Sequence, residues 1–336
     1  MRTLLGPRPT RAAFLILLFV APLLLSNFNV RVTTEILIFG LFAMSLNVLL
    51  GFTGMPSIGH AAYFGAGGYA AALMARNFDV SLLVGLAVGI AVALVFAALT
   101  GIFVIRANGV YFIMLTLALA ELFRSAVERL RGLTGGDEGV SGIPPGRLFG
   151  DYTIAATGQP RVLYFYVLAV FLVAYLLLER LRDSPFGRSL VGIRENSARM
   201  RALGYPVDRY RYAAFLIGAG LAGLAGALYV QFTRFISPDL VGFGMSALAI
   251  MMVILGGTYT LYGPLVGAAA VILVREEMTT RFDHWEIALG LAFMTIIYLM
   301  PRGIGGLMRD AANRLRDGAR SEDPDVRRVP RGLKIN

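Results

Sequence analysis

Long apolar runs separated by short polar segments dominate this chain of 336 residues. The runs are continuous in Leu, Ala, Val and Gly and do not alternate with polar residues, which favours membrane-spanning helices over the strands of a β-barrel. They cover residues 12–25, 35–50, 55–75, 81–105, 111–126, 164–178, 212–232, 243–255, 264–274 and 287–300. The pattern predicts an all-α polytopic membrane protein of about ten transmembrane helices, some of them short or broken.

Composition agrees with a protein whose solvent is the bilayer. Hydrophobic residues make up 57% of the sequence and charged residues only 15%, and the mean hydropathy is +0.69. The formal charge of +10 comes mostly from arginines between the apolar runs, where positive charge sets membrane topology. Membrane lipid is therefore an expected partner and nucleic acid is not. With no Cys and two His residues, we expect no metal site.

The positions of the arginines predict the orientation of the chain. The N-terminus, the segment 180–211 with its eight arginines and the tail after Arg302 are the basic segments. Such segments remain in the cytoplasm during insertion. We therefore expect both termini and the loop 180–211 in the cytoplasm. The predicted division is a transmembrane domain at 1–308 and a basic cytoplasmic tail at 309–336.

Two polar, Gly-rich segments interrupt the apolar pattern, one starting at Gly51 and the other at Gly256. Irregular backbone at membrane depth is tolerated only where protein or a wet cavity satisfies its polar groups. Interruptions in both halves of a transporter point to its pathway. We therefore predict a translocation pathway or gate formed by Gly51, Gly54, Ser57, Gly59, His60, Tyr63, Thr116, Gly256, Gly257, Thr258, Gly263 and Pro264.

The two interrupted segments also resemble each other. The residues Val48-x-Leu50-Gly51-x-Thr53 match Val253-x-Leu255-Gly256-x-Thr258, which suggests an internal repeat. Other glycines within the runs are better explained by close helix packing, namely Gly65, Gly68, Gly218, Gly223 and Gly226.

Few carboxylates fall inside the apolar runs. Glu35 begins one run, and Glu121 stands three residues before Arg124, a helical spacing at which the two side chains can pair. We find no series of mid-membrane carboxylates of the kind that proton-coupled pumps use. The energy for transport is therefore expected to come from outside this chain.

The basic loop contains a helix signal of its own. It begins with Ser184-Pro185, continues with helix-forming residues and stops at Gly204, which predicts a short helix on the cytoplasmic face. From spacing alone, a basic loop that sets topology at the lipid surface is the simpler explanation.

Further motifs suggest a second role for this loop. Ser184-Pro-Phe-Gly-Arg188 with Ile193-Arg-Glu-Asn196 resembles the coupling segment of branched-chain amino acid ABC transporter permeases of the LivM type. The resemblance covers about residues 35–307 and includes Gly51-Phe-Thr-Gly, Gly59-His-Ala-Ala-Tyr-Phe-Gly, Gly109-Val-Tyr-Phe, Leu133-Thr-Gly-Gly and Pro301-x-Gly303. Met55-Pro56 departs from the family pattern, in which a polar residue and then an apolar one follow Gly54.

This resemblance implies a subunit of an importer in the bacterial inner membrane, with branched-chain or related amino acids as its substrate. It also implies a second homologous permease, two ATP-binding cassette ATPase subunits and a periplasmic substrate-binding protein as partners. ATP and Mg²⁺ would bind to the ATPase subunits, and this chain would hold no cofactor and catalyse no reaction. The residues that would couple it to the ATPases are Gly187, Arg188, Arg194, Glu195, Asn196 and Gly204.

Two other classes compete with this interpretation. A secondary transporter or channel for small polar solutes would fit the spans, but it should show intramembrane charges or self-sufficient repeats. A membrane enzyme would need a clustered nucleophile, base or metal set. His60 and His284 belong to no such set in the sequence.

Overall fold

The protein is described here by a computed structural model, which covers residues 19, 22, 25–78, 80–149, 152–153, 160–258, 260–279, 290 and 294. The predicted first run at 12–25 and last run at 287–300 fall outside the described residues except at isolated positions, and the tail at 309–336 falls outside them entirely. Their helical state and the total number of spans therefore stay predictions.

Helices account for most of the described chain. They are α1 (Asn27–Asn47), α2 (Ala61–Phe78), α3 (Leu82–Val104), α4 (Val110–Arg129), α5 (Arg131–Thr134), α6 (Pro160–Asp183), α7 (Pro185–Glu195), α8 (Ser197–Ala202), α9 (Val207–Thr233), α10 (Phe243–Gly256) and α11 (Gly263–Thr279). A π-helix, Val48–Thr53, extends α1. Short 3₁₀ turns lie at Gly136–Glu138 and Pro238–Leu240, and the strands Arg147–Phe149 and Tyr152–Thr153 pair antiparallel in the loop before α6.

The apolar runs predicted between residues 35 and 274 each coincide with one helix: α1, α2, α3, α4, α6, α9, α10 or α11. Within the part of the chain that the structure describes, five helices are long and apolar enough to cross a membrane, namely α1 with its π-helix, α3, α4, α6 and α9. This confirms an all-α polytopic membrane protein. Some predicted boundaries were wrong: α1 starts at Asn27 because Ser26 caps it, accepting a hydrogen bond from Asn29 N at 3.4 Å.

Helix α1 lies at the centre of the bundle. Its most apolar stretch is 89% buried, whereas the corresponding stretch of α3 or α6 is 33% buried and that of α4 is 22% buried. It packs against α6, α9, α10 and α11, and α9 in turn packs against α2 and α3. A helix that is apolar on all sides and surrounded by others is buried, so the exposed apolar faces of α3, α4 and α6 are the surfaces available to lipid.

Glycines bring α2 and α9 into backbone contact. A Cβ atom on Gly67 would lie 2.4 Å from Gly223 Cα, and one on Gly226 would lie 1.9 Å from the Phe64 carbonyl oxygen. A Cβ on Gly65 or Gly68 would meet the segment that precedes α10. The prediction that these glycines serve close packing agrees with this geometry.

An ion pair joins the start of α1 to the end of α11. Arg275 Nη2 lies 2.5 Å from Glu35 Oε1, and the side chains are 21% and 15% exposed. The Arg275 guanidinium also lies 5.9 Å from the centre of the Phe39 ring. The predicted topology puts both helix ends on the outer side of the membrane, so the ion pair is consistent with it.

The packing leads to a test of stability. Gly226→Ala should destabilise the protein by about 1–3 kcal/mol, because the new methyl group would overlap the Phe64 carbonyl. Gly132→Ala is the control, since a Cβ atom there would meet nothing within 4 Å. Thermal unfolding of the purified variants in detergent measures the difference. Equal melting temperatures for the two variants would contradict the packing described here.

Candidate functional site

The first interrupted segment starts where α1 widens into its π-helix. The π-helix ends at Gly54, whose φ of 71° is in the left-handed region that favours glycine. Residues 55–57 lack regular structure, a turn follows, and α2 begins at Ala61. The run predicted to start at Met55 therefore starts six residues too early. π-Helical turns within α-helices frequently mark functional sites.

The second interrupted segment joins α10 to α11. Helix α10 ends at Gly256, and Gly257 takes a φ of 95°. A Cβ on Gly256 would lie 1.9 Å from the Gly263 carbonyl oxygen, so the two helix ends touch through glycine. Gly263 N donates to Thr260 Oγ1 at 3.0 Å. Pro264 occupies the first turn of α11, where its missing N–H costs no helical hydrogen bond.

The two interrupted segments meet in the structure. Asn47 Nδ2 donates to the Thr260 carbonyl oxygen at 3.1 Å. A Cβ on Gly51 would lie 2.2 Å from Asn47 Oδ1 and 2.5 Å from the Thr258 carbonyl oxygen. Gly51 is therefore required by the close approach of the second segment. The structure brings together here the predicted pathway residues Gly51 and Thr258.

Another group of buried polar side chains surrounds the start of α2. His60 Nε2 lies 2.9 Å from Ser45 Oγ, and its ring stacks on Phe42 with centroids 5.7 Å apart. Ser246 Oγ, on α10, accepts from Ala61 N at 3.0 Å. His60, Ser45 and Ser246 are each 0% exposed. The first turn of α2 is thus hydrogen-bonded to both α1 and α10.

Three more predicted pathway residues, Gly59, Tyr63 and Thr116, lie in or beside the first turn of α2. Tyr63 OH lies 3.0 Å from Thr100 Oγ1 on α3. A Cβ on Gly59 would lie 1.9 Å from the Thr116 carbonyl oxygen on α4. The Thr116 hydroxyl itself donates to Ile113 O at 2.9 Å. These contacts fix the segment before α2 between neighbouring helices.

Three polar atoms in this region are buried without a hydrogen-bond partner in the described chain: Asn47 Oδ1, Ser57 Oγ and His60 Nδ1. Each such atom typically costs about 1–3 kcal/mol of stability. Packing alone does not account for retaining them. They are suited to a pathway whose polar groups change partners during transport. Sequence analysis identified Ser57 and His60 but missed Asn47, which lies inside an apolar run.

The unpartnered hydroxyl of Ser57 leads to a second test. Ser57→Ala should leave the melting temperature unchanged or raise it, because no hydrogen bond is lost. Ser246→Ala is the matched control and should lower the melting temperature, because the Ala61 N–H loses its acceptor. Thermal unfolding in detergent compares them. A larger loss of stability for Ser57→Ala than for Ser246→Ala would show that the Ser57 hydroxyl does make a stabilising hydrogen bond, which would contradict this description.

The basic loop forms two helices, not the single one that its sequence predicted. Ser184 caps α7, accepting from Gly187 N at 3.1 Å, and Pro185 follows at the first position, as predicted. Asn196 divides the helices: its backbone is extended and its Oδ1 accepts from Arg199 N at 2.8 Å, which caps α8. Gly204, with a φ of 85°, ends the loop's helical part.

Helix α7 has one buried and one exposed face. Leu190 and Ile193 are buried, and a Cβ on Gly187 would lie 2.3 Å from Leu181 O. Arg188, Glu195 and Asn196 are exposed. The exposed face is available to a partner, and the buried face fixes α7 to the membrane domain.

Arg194 has a different position from the other residues of α7 that were predicted to couple. Its Nη1 donates to the Gly51 carbonyl oxygen in the π-helix. Its side chain also lies over Gly54, where an added Cβ would meet Arg194 Cγ at 2.9 Å. A continuous set of contacts thus runs from α7 through Gly51 to the second interrupted segment.

Comparisons with known proteins agree with this architecture. The profile of the family described as "Branched-chain amino acid transport system / permease component" matches residues 29–300. The chain is 27% identical to the high-affinity branched-chain amino acid transport system permease protein LivM of Escherichia coli K12, over 91% of this chain and 76% of that protein. No solved structure gives a significant match.

Two further relatives extend the comparison. LivH, a high-affinity branched-chain amino acid transport system permease protein of the same E. coli strain, is 27% identical over 41% of this chain and 46% of its own length. The autoinducer 2 import system permease protein LsrC of Enterobacter sp. 638 is 28% identical over 70% of this chain and 74% of its own length. The chain belongs to the branched-chain amino acid transport permease family.

Proposed function

We propose that this chain is one of two permease subunits of an ABC importer that carries branched-chain or related amino acids across the bacterial inner membrane. The chain resembles both LivM and LivH of one organism, which supports a pair of related permeases. The LivM match covers more of this chain than the LsrC match does, which favours amino acids over autoinducer 2. ATP and Mg²⁺ bind to two partner ATPases, and a periplasmic protein delivers the substrate.

The hydrogen bond from Arg194 to Gly51 is the observation that carries the mechanism. The exposed face of α7 docks on an ATPase subunit through Arg188, Glu195 and Asn196. ATP-driven movement of α7 then pulls on the π-helix through Arg194. Because Asn47 Nδ2 donates to the Thr260 carbonyl oxygen at 3.1 Å, the same movement reaches the second interrupted segment. A partner that moves α7 thereby shifts the equilibrium between inward-open and outward-open states.

Solute passes beside the interrupted segments in this proposal. The buried hydrogen-bonding atoms of Asn47, Ser57 and His60 provide polar contacts for a hydrophilic head group crossing the bilayer. Asn47 and Ser57 are uncharged side chains, so the contacts that they offer to a head group are neutral hydrogen bonds. Selectivity rests mainly on the periplasmic binding protein.

Arg194→Ala tests this coupling in the complete transporter reconstituted in liposomes. We expect roughly tenfold slower ATP-driven leucine uptake, because one charge-assisted hydrogen bond is lost, whereas the complex still assembles and hydrolyses ATP. Arg209→Ala is the control, since Arg209 is an exposed arginine of the same cytoplasmic region, whereas Arg194 is partly buried. Uptake by Arg194→Ala at the rate of the control would overturn the coupling route.

Docking of α7 has its own test. Glu195→Arg reverses a charge on the exposed face and should reduce recovery of the ATPase subunits with the tagged permease by roughly tenfold. Amounts of this variant in the membrane should equal those of the unaltered protein, since Glu195 lies outside the core. Quantitative immunoblots of membranes and of affinity-purified complexes provide both values. Unchanged recovery of the ATPases would exclude Glu195 from the docking surface.

A further inference from the structure

A group of charged side chains lies apart from the interrupted segments, where α4 approaches the segment before α10. Arg124 Nε donates to Glu128 Oε1 at 2.9 Å, and Arg124 Nη2 lies 4.0 Å from Asp239 Oδ1. Arg124 therefore pairs with Glu128 and not with Glu121, the partner that spacing in the sequence suggested. The Arg124 side chain remains 39% exposed and that of Asp239 87% exposed.

Glu121 contacts the beginning of α10 instead. Its Oε1 accepts from Phe243 N at 3.4 Å. A Cβ added to Gly242 would lie 3.4 Å from Arg124 Nη1 and 3.8 Å from Glu121 Oε1, so the cation and the carboxylate flank the same backbone. No atom of the described residues lies within 4 Å of a Cβ built on Gly244. The partly positive N-terminus of α10 thus adjoins Arg124 and Glu121.

These side chains lie in the second half of a possible membrane span. At a rise of about 1.5 Å per residue, Arg124 lies roughly 21 Å along α4 from its first residue and roughly 8 Å from its last. The helix is 20 residues long and apolar enough to cross a membrane. Charged side chains within a span face a cavity or another protein and seldom face lipid.

Tyr69 on α2 supplies an independent observation. Its side chain is 4% exposed, and its hydroxyl is buried without a hydrogen-bond partner among the residues that the structure describes. The ring belongs to a cluster with Val127, which directly precedes Glu128, and with Val241, which follows Asp239 by two residues. A buried, unpartnered hydroxyl next to the charged group points to a ligand that completes its hydrogen bonding.

We propose that this group is a receiving site for the zwitterionic head of an α-amino acid on the outer side of the membrane. Arg124 and the N-terminal turn of α10 bind the carboxylate, because a guanidinium and free helical N–H groups both favour an anion. Glu121 and Asp239 accept hydrogen bonds from the ammonium group. The hydroxyl of Tyr69 completes the polar contacts.

An exposed apolar ring adjoins the polar contacts. Phe243, whose backbone N–H donates to Glu121 at 3.4 Å, is 51% exposed. The aliphatic side chain of the substrate packs on this ring while the head group occupies the polar contacts. The site rests on the proposed function, since it assumes an amino acid arriving from outside.

Equilibrium binding of [³H]leucine to the purified transporter complex in detergent, without the periplasmic protein, tests the site. Tyr69→Phe and Arg124→Gln should each weaken binding by roughly tenfold. Leucinamide and isovalerate, which lack the carboxylate or the ammonium group, should compete poorly. Because the Tyr69 hydroxyl has no partner, Tyr69→Phe should fold normally even if Arg124→Gln does not.

The controls remove comparable groups elsewhere. Tyr166→Phe loses a hydroxyl that donates to Gln231 at 2.9 Å, and Arg131→Gln loses an exposed pair with Asp137 at 3.5 Å. Both should bind leucine as the unaltered complex does. If Tyr69→Phe also binds leucine normally, the receiving site is overturned, whereas ATP-driven leucine uptake by the unaltered complex keeps the proposed function. If the unaltered complex shows no ATP-driven leucine uptake, both the receiving site and the proposed function are overturned.

Discussion

The requirement that backbone polar groups be satisfied inside a bilayer governs this structure. Helix α1 crosses the centre of the bundle and then loosens into a π-helix, which would leave exposed carbonyls in an apolar medium. Arg194 of α7 donates a hydrogen bond to the Gly51 carbonyl. Asn47 reaches in turn to the Thr260 carbonyl of the other interrupted segment. The Gly51 and Thr260 carbonyls, one in each interrupted segment, therefore accept hydrogen bonds from side chains and are not left to face lipid.

This arrangement connects stability with function. A π-helix held by a side chain from α7 is easier to rearrange than an uninterrupted α-helix, because its hydrogen bonds already depend on a partner outside α1. Around it, the packing of α2 on α9 through Gly67, Gly223 and Gly226 is tight. The molecule thus combines a rigid pair of helices with a neighbouring segment that can change its contacts. Alternating access in a transporter needs both properties.

The sequence predicted the class of fold because apolar runs of bilayer length depend only on composition and order. It also predicted both interruptions, since Gly and Pro mark them directly. It did not predict that α7 and α8 are separate helices, because Asn196 reads equally well as a helical residue or as a cap. Asn47 and Ser45 were missed because they lie within an apolar run, and only the fold places them opposite Thr260 and His60.

The contact of Arg194 with the Gly51 carbonyl could not be predicted either, because it too depends on which elements the fold places side by side. In the sequence Arg194 belongs to the series of arginines in the segment 180–211, and nothing in its spacing separates it from Arg188. The structure separates them, because α7 turns Arg188 to the exposed side and Arg194 towards Gly51. Long-range pairs of this kind, such as Glu35 with Arg275, depend on which helices are neighbours.

The proposed mechanism requires that ATPase subunits drive this chain. The decisive measurement is affinity purification of the tagged chain in mild detergent from its native membrane, followed by mass spectrometry. We expect recovery of two ATPase subunits and one related permease in stoichiometric amounts. Recovery of the chain alone as a stable homo-oligomer, with no ATPase, would contradict it and would favour a secondary transporter or channel.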